Sequence, residues 1–290
     1  MKTINIQASL HDGSKISVEI SGSGPAILLP VNPKPLEGQE AEEKRKWGMD
    51  PALGRSLIDG LNDEFTVVAF DYEGHRINHP APNTLTPENV IRDILAVADA
   101  AGVERWAYYG YSWLALSGLQ LAIRTDRLWA LIMGGYPPID GPYHAMLAVT
   151  KATHDLTTEP KKPAAMPQTD DELDWDSAEM TMTEEQTRQF LTLYEALRDF
   201  NDRTIQSNVS CPRLCFAGSV DKIVYGERWG NAVVDIAGPL LHKSAELQKI
   251  GWDVQVLDGF DHIKAMQPNA VLPIIRPWLI DKRIQENTTK

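Results

Sequence analysis

Three features of this chain predict an α/β fold built on a mostly parallel sheet. Short, largely apolar runs recur at Ala26–Pro30, Phe65–Phe70 and Leu128–Met133, and such runs suit strands covered on both faces. Stretches of helical spacing alternate with them, which places helices on both sides of one sheet. At 290 residues, with 43% hydrophobic and 23% charged content, the chain suits one large globular domain or a domain carrying an insertion.

Ile4–Leu10 and Lys15–Ile20 alternate apolar and polar residues about His11-Asp12-Gly13-Ser14, the pattern of a hairpin. Gly22–Pro25 breaks the pattern. The strand Ala26–Pro30 then leaves through a rigid loop, Val31–Pro35. Glu37–Lys46 is charged and gives only a solvated loop or short helix. Asp50 is placed to cap a helix over Pro51–Leu61. The strand Phe65–Phe70 ends in Asp71-Tyr72-Glu73-Gly74-His75-Arg76, where His75 and Arg76 are expected to stabilise a turn. Thr86 caps a helix running to about Ala101, with Pro87 in its first turn and Gly102 closing it.

The next stretch organises the rest. Apolar residues run from Trp106 to Gly110, Ser112 follows one residue later, and Trp113-Leu114-Ala115-Leu116 begins a helix. A strand fed into a helix through so tight a bend strains the residue at its tip. The strain holds a hydroxyl above the sheet edge, beside the free N–H groups of the helix. Both features suit a nucleophile whose transition state carries an oxyanion. The plain alternative for Ser112 is a helix N-cap. The pattern Gly-x-Ser-x-Gly is incomplete, because Leu114 stands in its last position.

After the strand Leu128–Met133 and Gly134-Gly135, the alternation stops at Pro138. Pro142–Leu156 has helical spacing, Thr157–Ser177 is an acidic, Pro-containing loop whose Asp171 and Glu172 are solvated, and Glu184 to about Ile205 is amphipathic. Residues 138–206 are expected to form a helical lid over the strand ends, inserted into a core made of residues 1–137 and 207–290. A helical hairpin packed on the side is the alternative. The alternation resumes with a strand at Arg213–Gly218, a largely helical Gly226–Ile250, a strand at Trp252–Leu257 and a final helix from Pro268 to Ile280.

A formal net charge of -12 disfavours nucleic acid and anionic membranes as partners. The 2 cysteines, Cys211 and Cys215, have no accompanying ligand set for zinc, and neither a metal-ligand cluster nor a phosphate-cradling glycine loop is present. The N-terminus lacks the apolar core of a signal peptide, and no stretch is long and apolar enough to span a membrane. These features imply a cytoplasmic protein with reduced thiols, no cofactor and no metal. The expected partner is a small-molecule substrate, and a homodimer is compatible with the composition.

Ser112, Asp221 and His262 follow three strands in that chain order, with Asp221 in Gly218-Ser219-Val220-Asp221 and His262 in Asp261-His262. The chain resembles the α/β-hydrolase fold superfamily over most of its length. The motif Asp71-x-x-Gly74-His75 and the insertion after Gly134-Gly135 add to the resemblance. It implies a nucleophile at Ser112, a general base at His262 and an orienting acid at Asp221, with Asp258 and Asp261 as rival acids. The backbone N–H of Trp113 would be one oxyanion donor. Relatives often have His-Gly-x-Pro after the third strand; this chain has Pro30-Val31-Asn32-Pro33, which makes the Asn32 N–H the second donor.

Ser at the elbow argues against haloalkane dehalogenase and epoxide hydrolase chemistry, since by resemblance those relatives carry Asp there. Hydrolysis of a small, mostly apolar ester, thioester, lactone or amide is the leading expectation. Ser112-Trp113 is also similar to the Gly-Gly-Ser-Trp-Gly of prolyl aminopeptidases, from which Tyr111 and Leu114 depart. Ligand receptors, hydroxynitrile lyases and cofactor-independent oxygenases share the fold and form the non-hydrolytic alternative.

Overall fold

The computed structural model of the chain describes residues 3–158 and 181–288. The hairpin is β1 (Ile4–Ser9) and β2 (Lys15–Gly22), followed by β3 (Ala26–Leu29), α1 (Gly38–Lys46), α2 (Leu53–Asp59), β4 (Thr66–Ala69), α3 (Tyr72–Asn78) and α4 (Pro87–Ala100). Then come β5 (Trp106–Tyr111), α5 (Trp113–Ala122), β6 (Leu128–Gly134), α6 (Tyr143–Thr158) and α7 (Glu184–Ala196). The chain closes with β7 (Arg213–Gly218), β8 (Lys222–Val224), β9 (Val233–Asp235), α8 (Ala237–Lys249), β10 (Trp252–Leu257), α9 (His262–Ala265) and α10 (Pro268–Thr288).

Eight strands form one sheet in the order β1-β2-β4-β3-β5-β6-β7-β10. The pairings β1–β2 and β2–β4 are antiparallel and the others parallel. Alternate residues of each central strand feed different apolar layers, as a pleat of period two requires. Leu28, Trp106 and Tyr108 join the layer under α4 and α5, while Ile27, Leu29, Ala107 and Tyr109 join the layer under α2 and α10. Burial on both faces is why these strands are apolar throughout.

Several boundaries differ from the sequence reading. Asp50 is not the N-cap of α2; Ala52 is, and Asp50 instead accepts a hydrogen bond from the Ala52 N–H at 2.8 Å and from the Ser56 hydroxyl at 2.7 Å. The turn after β4 is the helix α3, capped by Asp71, whose Oδ1 accepts from the Gly74 N–H at 2.9 Å. The helix expected over Glu184–Ile205 ends at Ala196, and the Asn201 side chain then turns the chain by accepting from the Arg203 N–H at 3.1 Å. The stretch from Gly226 holds only a single 3-10 turn, Glu227–Trp229, before the α-helix begins at Ala237. Gly230 and Asn231, with φ of 72° and 53°, turn the chain so that β8 and β9 pair antiparallel. The acidic loop expected from Thr157 lies outside the described residues beyond Thr158. Cys211 and Cys215 are buried free thiols. Among the described residues no helix is long and apolar enough to cross a membrane.

Candidate active site

Ser112 stands between β5 and α5 with φ 56° and ψ -129°, in a backbone region that L-residues avoid. Gly110 makes the bend possible: a Cβ there would lie 2.3 Å from the Leu114 carbonyl oxygen. Leu114 does not open the elbow. Its side chain is buried in the layer under α4 and α5, and its carbonyl accepts the Tyr108 hydroxyl at 3.0 Å. The Ser112 N–H donates to the Gly134 carbonyl at 2.8 Å, which fixes the tip of the turn to β6. At the start of α5 the N–H groups of Trp113 and Leu114 have no intrahelical acceptor, whereas Ala115 and Leu116 donate to the Ser112 carbonyl at 2.9 and 3.2 Å.

The loop after β3 is held on three sides. Asn32 Oδ1 accepts from the Lys34 N–H at 2.9 Å, and Arg55 donates to the Pro33 carbonyl at 2.8 Å while pairing with Glu19 at 2.9 Å. Gly54 lets α2 pack on the loop, since a Cβ there would meet the Asn32 carbonyl oxygen. Pro30 and Val31 therefore sit in a fixed loop.

Asp221 is fully buried and pairs with His262, whose Nδ1 lies 2.9 Å from Oδ2 and 3.1 Å from Oδ1. Backbone hydrogen bonds join the two loops: Val220 N–H to the Phe260 carbonyl at 3.1 Å and Ser219 N–H to the Leu257 carbonyl at 2.9 Å. Gly218 permits this approach, because a Cβ there would collide with the Phe260 carbonyl. The rival acids are engaged elsewhere. Asp258 accepts from the Ser219 hydroxyl at 3.2 Å, and Asp261 caps α9 by accepting from the Lys264 N–H at 2.8 Å.

Sequence reasoning missed Tyr111 as a site residue. Its hydroxyl donates to the His262 carbonyl at 2.8 Å, and its ring centroid lies 5.0 Å from the imidazole. Burial pushes its pKa well up, so the hydroxyl stays a donor. Tyr111 thereby links the residue preceding Ser112 to His262. The hydrogen bonds among the described residues do not include one between Ser112 and His262 themselves. Trp113, following Ser112, packs between the Tyr72 ring at 6.0 Å and the edge of the Phe190 ring at 5.5 Å, which brings α7 against the elbow. Among the described residues no group of three or more His, Cys, Asp or Glu is arranged to hold a metal. Surface hollows lined by Asp253, Trp278 and Lys282, and by Asp140, His144 and Arg203, do not include Ser112.

The order of the sheet, the elbow and the strand-end positions of Asp221 and His262 are those of the α/β-hydrolase fold, and the protein has that fold. Its structure is similar to a thermophilic esterase of Thermogutta terrifontis, with a TM-score of 0.58 and 18% identity, covering 98% of this chain and 100% of the other. An epoxide hydrolase of Vigna radiata gives a TM-score of 0.58 at 16% identity, covering 96% of this chain and 98% of the other. A haloalkane dehalogenase of Bradyrhizobium elkanii gives a TM-score of 0.58 at 12% identity, with full coverage of both chains. No family model matches. Over 121 residues, 41% of the chain, the sequence is 26% identical to 3-oxoadipate enol-lactonase 1 of Acinetobacter baylyi, and the match takes in only 40% of that protein's length. These similar structures carry out different reactions on one scaffold, so the reaction must be argued from the site.

Proposed function

We propose that the protein is a serine hydrolase that cleaves a small, mostly apolar ester, thioester, lactone or amide through an acyl-enzyme. The reading is supported by the Asp221–His262 pair, by the strained strand–helix turn at Ser112 and, above all, by Tyr111, the residue before Ser112, whose hydroxyl and ring both meet His262. With Nδ1 donating to Asp221, the other imidazole nitrogen is the one free to take the Ser112 proton. Ser112 Oγ then attacks the acyl carbon. The developing oxyanion receives the N–H groups of Trp113 and Asn32, and the imidazolium returns its proton to the leaving group. Asp221 orients the ring and stabilises its charged form. Water repeats the sequence to release the acid. The inserted helices act as a lid, a role supported by the Phe190–Trp113 contact. The esterase and the enol-lactonase among the similar proteins bear names that describe chemistry of this type.

A fluorophosphonate probe tests this reading, because it needs an activated Ser and a usable oxyanion site but not the right substrate. Stoichiometric labelling is expected on the peptide containing Ser112, with none in Ser112→Ala and about a thousandfold slower labelling in His262→Ala. Simple esters should be cleaved faster than prolyl amides; the reverse order would favour the aminopeptidase reading. A folded protein that takes no label would point instead to a ligand-binding or non-hydrolytic role.

A further inference from the structure

We propose that Gln267 is a positioning residue that holds the helix bearing His262 at a fixed distance from the loop bearing Asn32, so that the proton-transfer and oxyanion-binding halves of the site move as one body. The role rests on the serine-hydrolase reading; the hydrogen bonds that define it do not.

Gln267 stands between α9 and α10. Its carbonyl accepts the first bonds of α10, from the Ala270 and Val271 N–H groups at 2.9 Å each. A residue in that place is ordinarily Ser, Thr, Asp or Asn, whose short side chain caps the helix it precedes. The Gln267 side chain turns away instead. Its Nε2 donates to the Ile263 carbonyl at 2.8 Å, and its Oε1 accepts from the Asp50 N–H at 2.8 Å. Ile263 is the residue after His262 in α9. One amide, on a residue only 7% exposed, therefore joins the helix of the general base to a segment 217 residues earlier in the chain. The reversed amide would set donor against donor and acceptor against acceptor, so only this orientation satisfies both ends.

The segment that Gln267 reaches is the backing of the loop after β3. The Pro51 carbonyl accepts from the Leu36 N–H at 2.9 Å, Arg55 donates to the Pro33 carbonyl at 2.8 Å, and Gly54 packs directly on the Asn32 carbonyl. The Asp50 carboxylate uses both oxygens inside the segment, on the Ala52 N–H and the Ser56 hydroxyl, which stiffens it. A short bonded path thus runs from His262 through Gln267 and Asp50 to the Asn32 loop. Tyr111 fixes His262 to the strand that carries Ser112, and Gln267 fixes it to the opposite wall. Asn is one methylene too short for this span, Glu lacks the donor when ionised, and Met makes neither bond. A misplacement of about 1 Å between reacting groups can cost about a hundredfold in rate.

Fluorophosphonate labelling of Ser112 and hydrolysis of p-nitrophenyl acetate test the role. At pH 8, Gln267→Met is expected to label about tenfold more slowly than the wild type and to lose about tenfold in kcat, with KM nearly unchanged. Gln267→Glu should be as slow at pH 8, because a carboxylate accepts from Asp50 but repels the Ile263 carbonyl. Its neutral acid has the shape and the donor of the amide. The deficit of Gln267→Glu relative to the wild type should therefore shrink at pH 5, while that of Gln267→Met stays constant. Burial and the Asp50 carboxylate would hold the new acid's pKa up; of the charged groups on the adjoining helices, His262 pairs with Asp221, Lys264 with Asp261 and Arg55 with Glu19. Gln267→Glu is its own folding control, since one protein is compared at two pH values, and thermal melts serve for Gln267→Met. A wild type that labels no faster than Gln267→Met, or a Gln267→Glu deficit equal at both pH values, would overturn the positioning role and leave the hydrolase reading standing. A wild type that takes no label would remove the hydrolase reading and the role with it.

Discussion

Tyr111 holds His262 through a hydrogen bond to its carbonyl and a ring contact with its imidazole. Tyr111→Phe removes the first and keeps the second. A neutral hydrogen bond of this kind contributes about 0.5–1.5 kcal/mol, so kcat should fall about three- to tenfold on a given ester. KM should be nearly unchanged, and the melting temperature should move little; steady-state kinetics beside a melting curve would check both. An equal loss in kcat and stability would assign Tyr111 a packing role alone. The sequence contained a trace of this residue in Gly134-Gly135. A Cβ at either position would lie 2.6 Å from the Tyr111 ring, so the two glycines clear its seat. The trace was not interpretable in advance, because nothing in a Gly-Gly pair names the side chain that fills the space. Ser112 and Gly110 were legible because strand, glycine, turn and helix are adjacent in the chain.

At the scale of elements, α7 is fastened to the segment after α3 rather than only to α6. Gln186 donates to the Ile77 carbonyl at 2.8 Å, Gln189 donates to the Arg76 carbonyl at 3.0 Å and accepts from the Ala81 N–H at 3.2 Å, and Thr192 donates to the Pro82 carbonyl at 2.6 Å. Gln189 is fully buried, so Gln189→Ala would leave a backbone donor and an acceptor without partners. The expected cost is about 1–3 kcal/mol. Hydrogen exchange should speed up in α7 and residues 76–82 before it does so in β5 or β6. Uniform loss of protection would show that these elements do not open separately. The amphipathic pattern identified α7 because helical periodicity is local. Its early end and the β8–β9 hairpin were misread because apolar residues in short runs fit helix and strand alike, and the turn at Gly230-Asn231 outweighed the pattern.

Across the whole molecule, a polar network binds the hairpin to the core. Arg76, fully buried, pairs with Asp12 at 2.8 Å and donates to the Ser14 hydroxyl at 2.9 Å, and that hydroxyl meets His75 Nε2 at 2.9 Å. Burial first, then the charges of Arg76 and His79, lower the His75 pKa from 6.5 to about 4. The folded chain thus keeps His75 neutral while the unfolded chain takes up a proton. Stability should be unaffected by this group above about pH 7, fall as the pH drops from 6.5 towards 4, and level off below. With allowance for solvent around this half-buried ring, the loss is about 1–2 kcal/mol. For Asp12, burial works upward, but hydrogen bonds from Arg76 and Ser14 outweigh it and hold the carboxyl well below its usual range; its effect enters only below about pH 3.8. Urea unfolding at pH 7 and pH 4.5 should therefore show a smaller difference for His75→Gln than for the wild type. An unchanged difference would rule His75 out as the source.

The sequence by itself determined the alternating architecture, the hairpin, the helices after β6 and the positions of Ser112, Asp221 and His262 at strand ends. These follow from patterns a few residues long: apolar runs, caps, glycines and turns. Only the tertiary structure decided that Asp221, and not Asp258 or Asp261, meets the imidazole, that Leu114 packs without opening the elbow and that Tyr111 holds His262. Each of these depends on which chemically equivalent group reaches a given point in space. That is set by the packing of strands and loops far apart in the chain, which local pattern does not encode.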